Sequence, residues 1–385
     1  MMHKKIALVE GDGSGPEMMS QAVRVTKAAA QKDGFDLDFV STPMGWNAYD
    51  RYGDTLPAES FEKAKEIGTI FFGGVGDFQH DSTIGVARPE MKPEVRALMA
   101  LRKELGLLLN FRPIIYYKAL AQLANVKSET IPEGGVRQIW IRFLLEDSYF
   151  GNTDLKEMVP EETRTKIGLK PKATITGQEE LVTDLAYYRR KTIERYIRAA
   201  FQYARDNKLP LISIDKANVM PRYDYWRKIV GEIGLKEFPD VPLTHQLVDS
   251  AAALLFTPAK LDGVIVCGNE HGDILSDGAA AAMGSMGLMC ISSINPDTGA
   301  ALFESGAGTA PTLSGQDKAN PLGRILTGAL LLRHLGAKNG AAAIENAVKN
   351  VLTSGYRTGD LLTKADDPAK LVGTSAMGDL VLKAL

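Results

Sequence analysis

Cysteine is scarce. The 385-residue chain holds two, Cys267 and Cys290, each inside an apolar run, "VIVCG" and "GLMCISS". That excludes a disulfide framework and reads as buried thiols in a reducing compartment. An excess of charge of either sign is also missing: 45 Lys and Arg stand against 47 Asp and Glu, a net of −2. Bulk charge therefore recruits neither nucleic acid nor an anionic membrane. No run of about 18 apolar residues occurs, which excludes a spanning helix. The opening "MMHKKIALVEGDG" has four apolar residues between its lysines and a turn-rich segment. That is too few for a secretory signal, so a cytoplasmic location is expected. Internal repeats, low-complexity tracts and Pro/Gly/Ser linkers are lacking as well, so any domains are interleaved.

What is present is 45% hydrophobic and 24% charged, ordinary for a globular protein. The length suits about two or three domains. "KKIALVEGDGSGPE" reads as a strand entering a glycine turn, and "PEMMSQAVRVTKAAAQ" as the helix after it. "GTIFFGGVGD", "LLLNFRPIIYY", "VRQIWIRFL", "LPLISIDKANV" and "LDGVIVCG" read as strands. "SFEKAKEI", "VRALMALRKELGL", residues 190–206, "NPLGRILTGALLLRHLG" and "GAAAIENAVKNVLTSG" read as helices. The alternation predicts an α/β fold with a largely parallel central sheet, and polar residues cluster just after strand ends, where α/β sites lie. Residues 152–181 are less periodic and read as an arm or insertion.

Five stretches carry candidate chemistry. "GDGSGPE" (residues 11–17) sits between strand and helix, the setting of a phosphate loop. Pro16 stands where G-x-G-x-x-G needs its third glycine, so a tight turn with proline at the helix start reads equally well. Arg102, Arg112 and Arg142 form a second set; Arg142 interrupts an apolar run, where a guanidinium is costly unless paired. They suit a multiply charged carboxylate, or else are ordinary ion-paired arginines. "SIDKANVM" puts Lys216 and Asn218 after a buried strand, where a lysine can act as base or simply pair with Asp215 or another acid. Tyr149 in "EDSYFG" is a candidate acid or a packing tyrosine. In "NEHGDILSDG" (residues 269–278), Asp273 and Asp277 are four apart and share one helix face. Two carboxylates without cysteines suit Mg²⁺ or Mn²⁺. Helix capping by Asp273 is the alternative, and one histidine, His271, is too few for a transition-metal site.

In this order, "GDGSGPE", "LRKELGLLLNFRP", "IRFLLEDSYFG", "IERYIRAAFQYAR", "DKANVM", "HQLVDSAAALL", "GNEHGDILSD", "GTAPTLSGQDKANP" and "GYRTGDLL" resemble the isocitrate and 3-isopropylmalate dehydrogenase family of β-decarboxylating dehydrogenases, nearer the isopropylmalate branch. The resemblance spans nearly the whole chain. It implies a two-domain, isopropylmalate-dehydrogenase-like α/β fold with a parallel or mixed central sheet. Residues 1–108 plus 284–385 would bind the cofactor, and 109–283 the substrate and the second subunit of a homodimer with shared active sites. It implies that Arg102, Arg112, Arg142 and Asn218 hold a small carboxylate substrate, that Lys216 assists proton removal from the C2 hydroxyl, and that Tyr149 returns a proton after CO₂ leaves. Asp249, Asp273 and Asp277 would bind Mg²⁺ or Mn²⁺. Glu304, Gly308, Thr309, Ala310, Pro311, Thr312 and Asn320 would lie near the dinucleotide.

The sequence departs from the family at Ala307, where a histidine is usual, and at Thr312 and Leu313, which replace the pair that separates NAD from NADP users. The tail favours NAD without excluding NADP. Glu270 and His271 stand where the family often has apolar residues. Leu98 and Met99 favour an apolar substituent, as in 3-isopropylmalate; Arg96 would instead greet the extra carboxylate of isocitrate or homoisocitrate, or face solvent. A non-catalytic regulatory subunit would commonly lack the lysine, the tyrosine or the metal aspartates, all of which are present here.

Overall fold

The structure is a computed structural model that describes residues 1–132, 135–150, 173–174, 180–181 and 184–385. Most of the arm expected at 152–181 lies outside the described residues; Ala173–Thr174 and Glu180–Leu181 form a short antiparallel pair. Among the described residues no helix is long and apolar enough to cross a membrane.

One ten-stranded sheet organises the rest. In chain order its strands are β1 (Met2–Val9), β2 (Phe35–Ser41), β3 (Thr69–Phe72), β4 (Leu109–Ile115), β5 (Arg137–Phe143), β6 (Leu211–Asp215), β7 (Leu243–Leu247), β8 (Gly263–Cys267), β9 (Cys290–Ile294) and β10 (Ala301–Ser305). Across the sheet they run β2-β1-β3-β10-β9-β4-β5-β8-β6-β7. Strands β2, β1, β3 and β10 are mutually parallel, as are β5, β8, β6 and β7. Between the two sets, β10/β9, β9/β4 and β4/β5 pair antiparallel. The sheet is therefore largely parallel, as expected, with six parallel pairings, and mixed at its centre, where three are antiparallel. Three successive reversals carry the chain from one parallel block to another of opposite direction.

The apolar run of β8 ("GVIVC") and the mainly apolar β6 ("LISID"), with Ser213 and Asp215 hydrogen-bonded, are fully buried strands. The period of two along β5 then sorts its residues by face. Ile139, Ile141 and Phe143 pack under α1 (Arg190–Asp206) and α2 (Pro221–Glu237). Trp140, on the opposite face, packs with Leu275 and Ala279 of α3 (Asn269–Ala282). Arg142 shares the pleat of Trp140. On β4, Arg112 shares the pleat of Ile114, which lies in that same cluster. Strand pleating thus aims two arginines at the helix that bears Asp273 and Asp277. In α1, Ile193, Tyr196, Ile197, Ala200, Phe201 and Ala204 form the buried stripe, while Arg198 and Arg205 on the outer face pair with Glu237 and Asp240.

"GDGSGPE" is a packing joint. Gly11 has φ +82°, and a Cβ there would lie 2.0 Å from the Gly74 carbonyl oxygen. Buried Asp12 accepts from the backbone N–H groups of Trp46, Asn47 and Gly76 at 2.8–2.9 Å. The Ser14 hydroxyl donates to the Thr309 carbonyl at 2.8 Å. The glycines let three backbone segments meet, which favours the tight-turn reading. The helix expected over "VRALMALRKELGL" begins as a π turn at Glu94–Met99 and becomes α-helical at Ala100–Glu104. A π turn inserts a residue and rotates the turns after it, so Arg96 and Arg102 face different partners.

His334 lies on the helix Leu322–Leu335 against the Phe303 ring, 5.4 Å between centroids. Burial pushes its imidazole below the ordinary 6.5, against a backbone hydrogen bond to Gly299 that acts the other way. The unfolded chain then binds the proton first as pH falls, so stability is full above 6.5 and declines below it. The melting temperature should drop as pH falls below about 6.5, and His334→Gln should flatten part of that slope. An unchanged slope in the variant would rule the group out.

Candidate active site

Helix α3 leaves the C-terminal end of β8 with Gly268 as its cap, and Asn269 is its first residue. Asp273 therefore sits in the second turn and does not cap the helix. Asp273 and Asp277 point the same way, toward β4 and β5. Arg112 donates through Nη2 to Asp273 at 2.8 Å and through Nη1 to Asp277 at 2.9 Å. Arg142 donates through Nη1 to the same oxygen of Asp273, and through Nε to Asn269 at 2.8 Å. Asn110 and Ser276 complete the shell of Arg112 at 2.7 and 2.8 Å. The Tyr149 hydroxyl donates to the other Asp273 oxygen at 2.8 Å.

Arg102, Arg112 and Arg142 are 7, 4 and 2% exposed, so none is a solvent arginine. Arg102 donates to Glu304 at 2.7 Å. Burial presses the Arg142 guanidinium down, as does the Arg112 charge, while Asp273 opposes both. Burial raises Asp273, but the Arg142 and Arg112 charges outweigh it and hold the carboxyl below its usual range. At Asp277, burial and the Asp273 charge win over Arg112 and raise it. Burial and the Asp273 carboxylate raise the Tyr149 phenol, so it carries its proton at neutral pH as a donor must.

Lys216 does not pair with Asp215, which is held by Arg227 at 2.7 and 2.9 Å. It donates instead to Asp249 at 2.7 Å, and Asn218 beside it is exposed. This pair stands just beyond β6 and β7, and β6 is two strands from Arg142 on β5. Among the described residues of one chain, no three metal-competent side chains gather, so Asp249 stays apart from Asp273 and Asp277. Arg96 is partly exposed and forks onto Asp54 at 2.8 Å through two nitrogens. Leu98 and Met99 are half-buried, Leu98 against the core under β1, β3 and β10.

After β10, a cleft of about 730 Å³ is lined by Gly308, Ala310, Leu313, Asn320, Asp317 and Asp360, among others. Thr309 turns away, its hydroxyl donating to the Gly76 carbonyl at 2.8 Å. Pro311–Leu313, which contains Thr312, is a 3₁₀ turn entered from Ala310 with φ +41°. The partners that fix the arginines (Asn110, Asn269, Ser276) and Arg96 (Asp54) carry no signal in the sequence pattern. Asn269 alone left a trace, as the first residue of "NEHGDILSDG".

A ten-stranded α/β sheet, buried arginines facing a carboxylate pair on one helix, and a separate cleft after β10 define an enzyme for a small anionic substrate. A family model described as isocitrate/isopropylmalate dehydrogenase matches residues 5–381. A 3-isopropylmalate dehydrogenase of Cupriavidus pinatubonensis is 40% identical over 382 residues, covering 99% of this chain and 100% of that protein. One from Thermotoga maritima is 39% identical over 383 residues, covering 99% of each. The solved isocitrate dehydrogenase of Methylococcus capsulatus superposes with a TM-score of 0.76 at 27% identity, covering 99% of both chains. The chain belongs to the isocitrate/isopropylmalate dehydrogenase family and is a decarboxylating dehydrogenase.

Proposed function

We propose that the protein converts 3-isopropylmalate to 2-oxoisocaproate, with NAD as hydride acceptor and Mg²⁺ or Mn²⁺ as cation, in a homodimer with shared sites. The observation that carries this reading is the convergence of Arg112, Arg142 and Tyr149 on Asp273. An all-oxygen donor set fits a hard divalent cation. Asp273 and Asp277 would supply it from one chain and Asp249 from the second. Lys216 and Asp249 travel as a pair on one side of the sheet, and a two-fold axis is the operation that brings such a pair to another chain's carboxylates. The strand order supports residues 1–108 with 284–385 as the cofactor unit and 109–283 as the substrate unit.

Held by the cleft after β10 and by the aspartates, a dinucleotide would supply a hydride acceptor and a divalent cation Lewis acidity at the C2 oxygen. The chain does the rest. Arg102, Arg112 and Arg142 hold the substrate carboxylates. Lys216 removes the C2 hydroxyl proton, and the Tyr149 hydroxyl delivers one to carbon after CO₂ departs. For the substituent, Leu98 and Met99 offer apolar surface, and the Asp54 fork occupies Arg96. For the cofactor, Gly308, Ala310 and Asn320 line the cleft taken as the adenine-ribose site, with Pro311 and Thr312 in the turn beside it, while Glu304 and Thr309 bond elsewhere. Its wall carries Asp317 and Asp360 beside Lys318, and NAD is favoured by the tail motif.

The test is kcat/KM for 3-isopropylmalate, isocitrate, homoisocitrate, malate and tartrate, each with NAD and NADP, with Mg²⁺ or with chelator. The expected result is about a hundredfold preference for 3-isopropylmalate with NAD, abolished by chelation. A preference for a tricarboxylate that Arg96→Ala abolishes would overturn the apolar pocket. Silence across the whole panel would sink the enzymatic assignment.

A further inference from the structure

The link between β5 and Tyr149 has an unusual construction. Glu146 and Asp147 are consecutive non-glycine residues with φ of 65° and 60°. Such left-handed backbone is strained for residues other than glycine and persists only where the surroundings over-determine it. Both side chains are buried carboxylates, 1% and 0% exposed, which must be paired.

Each is pinned to the segment before α1. Glu146 accepts from the backbone N–H of Arg189 at 2.8 Å and from its Nε at 2.5 Å. Asp147 accepts from the Tyr188 hydroxyl at 2.7 Å, and its own N–H donates to the Tyr187 carbonyl at 3.1 Å. The Ser148 hydroxyl donates to Glu270 at 3.2 Å, tying the third residue to α3. The fourth is Tyr149. Gly268 makes room for the network, since a Cβ there would lie 2.3 Å from the Tyr188 hydroxyl oxygen and 2.9 Å from an Asp147 oxygen. Tyr188 packs edge-on against Tyr223, and His271 stacks on Tyr223 at 4.9 Å and 11°. Glu270 and His271, unplaced by the sequence, are thus members of this scaffold.

We propose that Glu146 and Asp147 are positioning residues. Anchored by Arg189 and Tyr188, they hold the strained link in the one conformation that presents the Tyr149 hydroxyl at Asp273. This rests on Tyr149 being the proton donor.

The test uses the full-length enzyme carrying Glu146→Gly, Tyr188→Phe or Glu146→Gln, each alone and with Tyr149→Phe. Glycine accepts the left-handed backbone while removing the clamp. Phenylalanine keeps the packing and removes one hydroxyl, so one of the two should fold if the other does not. Glu146→Gly and Tyr188→Phe should each lower kcat about tenfold or more, with KM within about twofold and a larger solvent deuterium isotope effect. Glu146→Gln, which still accepts from Arg189, should recover most of the loss. In the Tyr149→Phe background, both losses should vanish, because the residues act through Tyr149. Crystal structures of the two variants read the distance from the Tyr149 hydroxyl to Asp273 whatever the activity. A hydrogen bond retained in both overturns the proposal, as does an undiminished loss in the Tyr149→Phe background. If Tyr149→Phe alone keeps wild-type kcat, the donor reading of Tyr149 fails instead, and the crystal distance still decides the positioning.

Discussion

Two preparations that are each nearly inactive, Lys216→Met and Asp273→Asn, should recover about a quarter of wild-type activity when their subunits are exchanged. Each single change removes a proton acceptor or a cation ligand and should cost roughly a thousandfold in kcat. Within one chain Lys216 holds Asp249, apart from the Asp273–Asp277 pair. If a site takes the lysine from one subunit and the aspartate from the other, every hybrid dimer owns one intact site and one doubly damaged site. Equal mixing makes half of the dimers hybrid, and half of their sites work. Assay after co-refolding, with the hybrid fraction measured by mass tags, gives the answer. Activity no greater than the sum of the two parents would show that each site is built within one chain.

Arg142→Gln should be damaging twice over. The guanidinium is 2% exposed and bridges Asn269 and Asp273. Removing one member of a buried ion pair typically costs about 3–5 kcal/mol, because the other charge stays behind. Here Arg112 remains beside Asp273 and should keep the loss at the lower end. Catalysis should fall further, by about a hundredfold or more in kcat/KM, since the fork for a substrate carboxylate goes as well. Arg142→Lys keeps a charge without the fork and should lie between. Denaturant midpoints and substrate kinetics measured together test this. Wild-type kinetics in the glutamine variant would remove Arg142 from the binding set.

The elements that the sequence displayed best are those with strong patterns. Residues 190–206 show a clean 3.6-residue apolar stripe, and the helix spans Arg190–Asp206. Strand β8 is an uninterrupted apolar run, and β6 is apolar apart from Ser213 and the terminal Asp215. Strands β2, β7, β9 and β10 escaped. "LTHQL" is only half-buried and mixes polar with apolar positions, and β9 carries two serines. Strand direction is not encoded in any local pattern, so the reversals around β9 and β4 were invisible. At the site, an arginine inside "IWIRF" is conspicuous because burying it needs a partner. The identity of that partner depends on register. Cys267 of β8 stands opposite Arg142, which brings Asn269 and Asp273 of α3 within reach, a pairing the sequence does not announce. Strain was equally hidden, since Glu146 and Asp147 carry none of the glycine that usually marks left-handed backbone.

Strand β10 lies between β3 and β9, so β3 finds one neighbour near the start of the chain and the other more than halfway along it. During synthesis that side of β3 stays unpaired until residues 301–305 have emerged. Strands β4 to β8, by contrast, complete their own block from contiguous sequence. The middle of the polypeptide can therefore fold while the first three strands wait. A bare strand edge is a hazard for association with other chains. In this topology, the duration of that hazard is the time needed to translate the segment that separates β3 from β10.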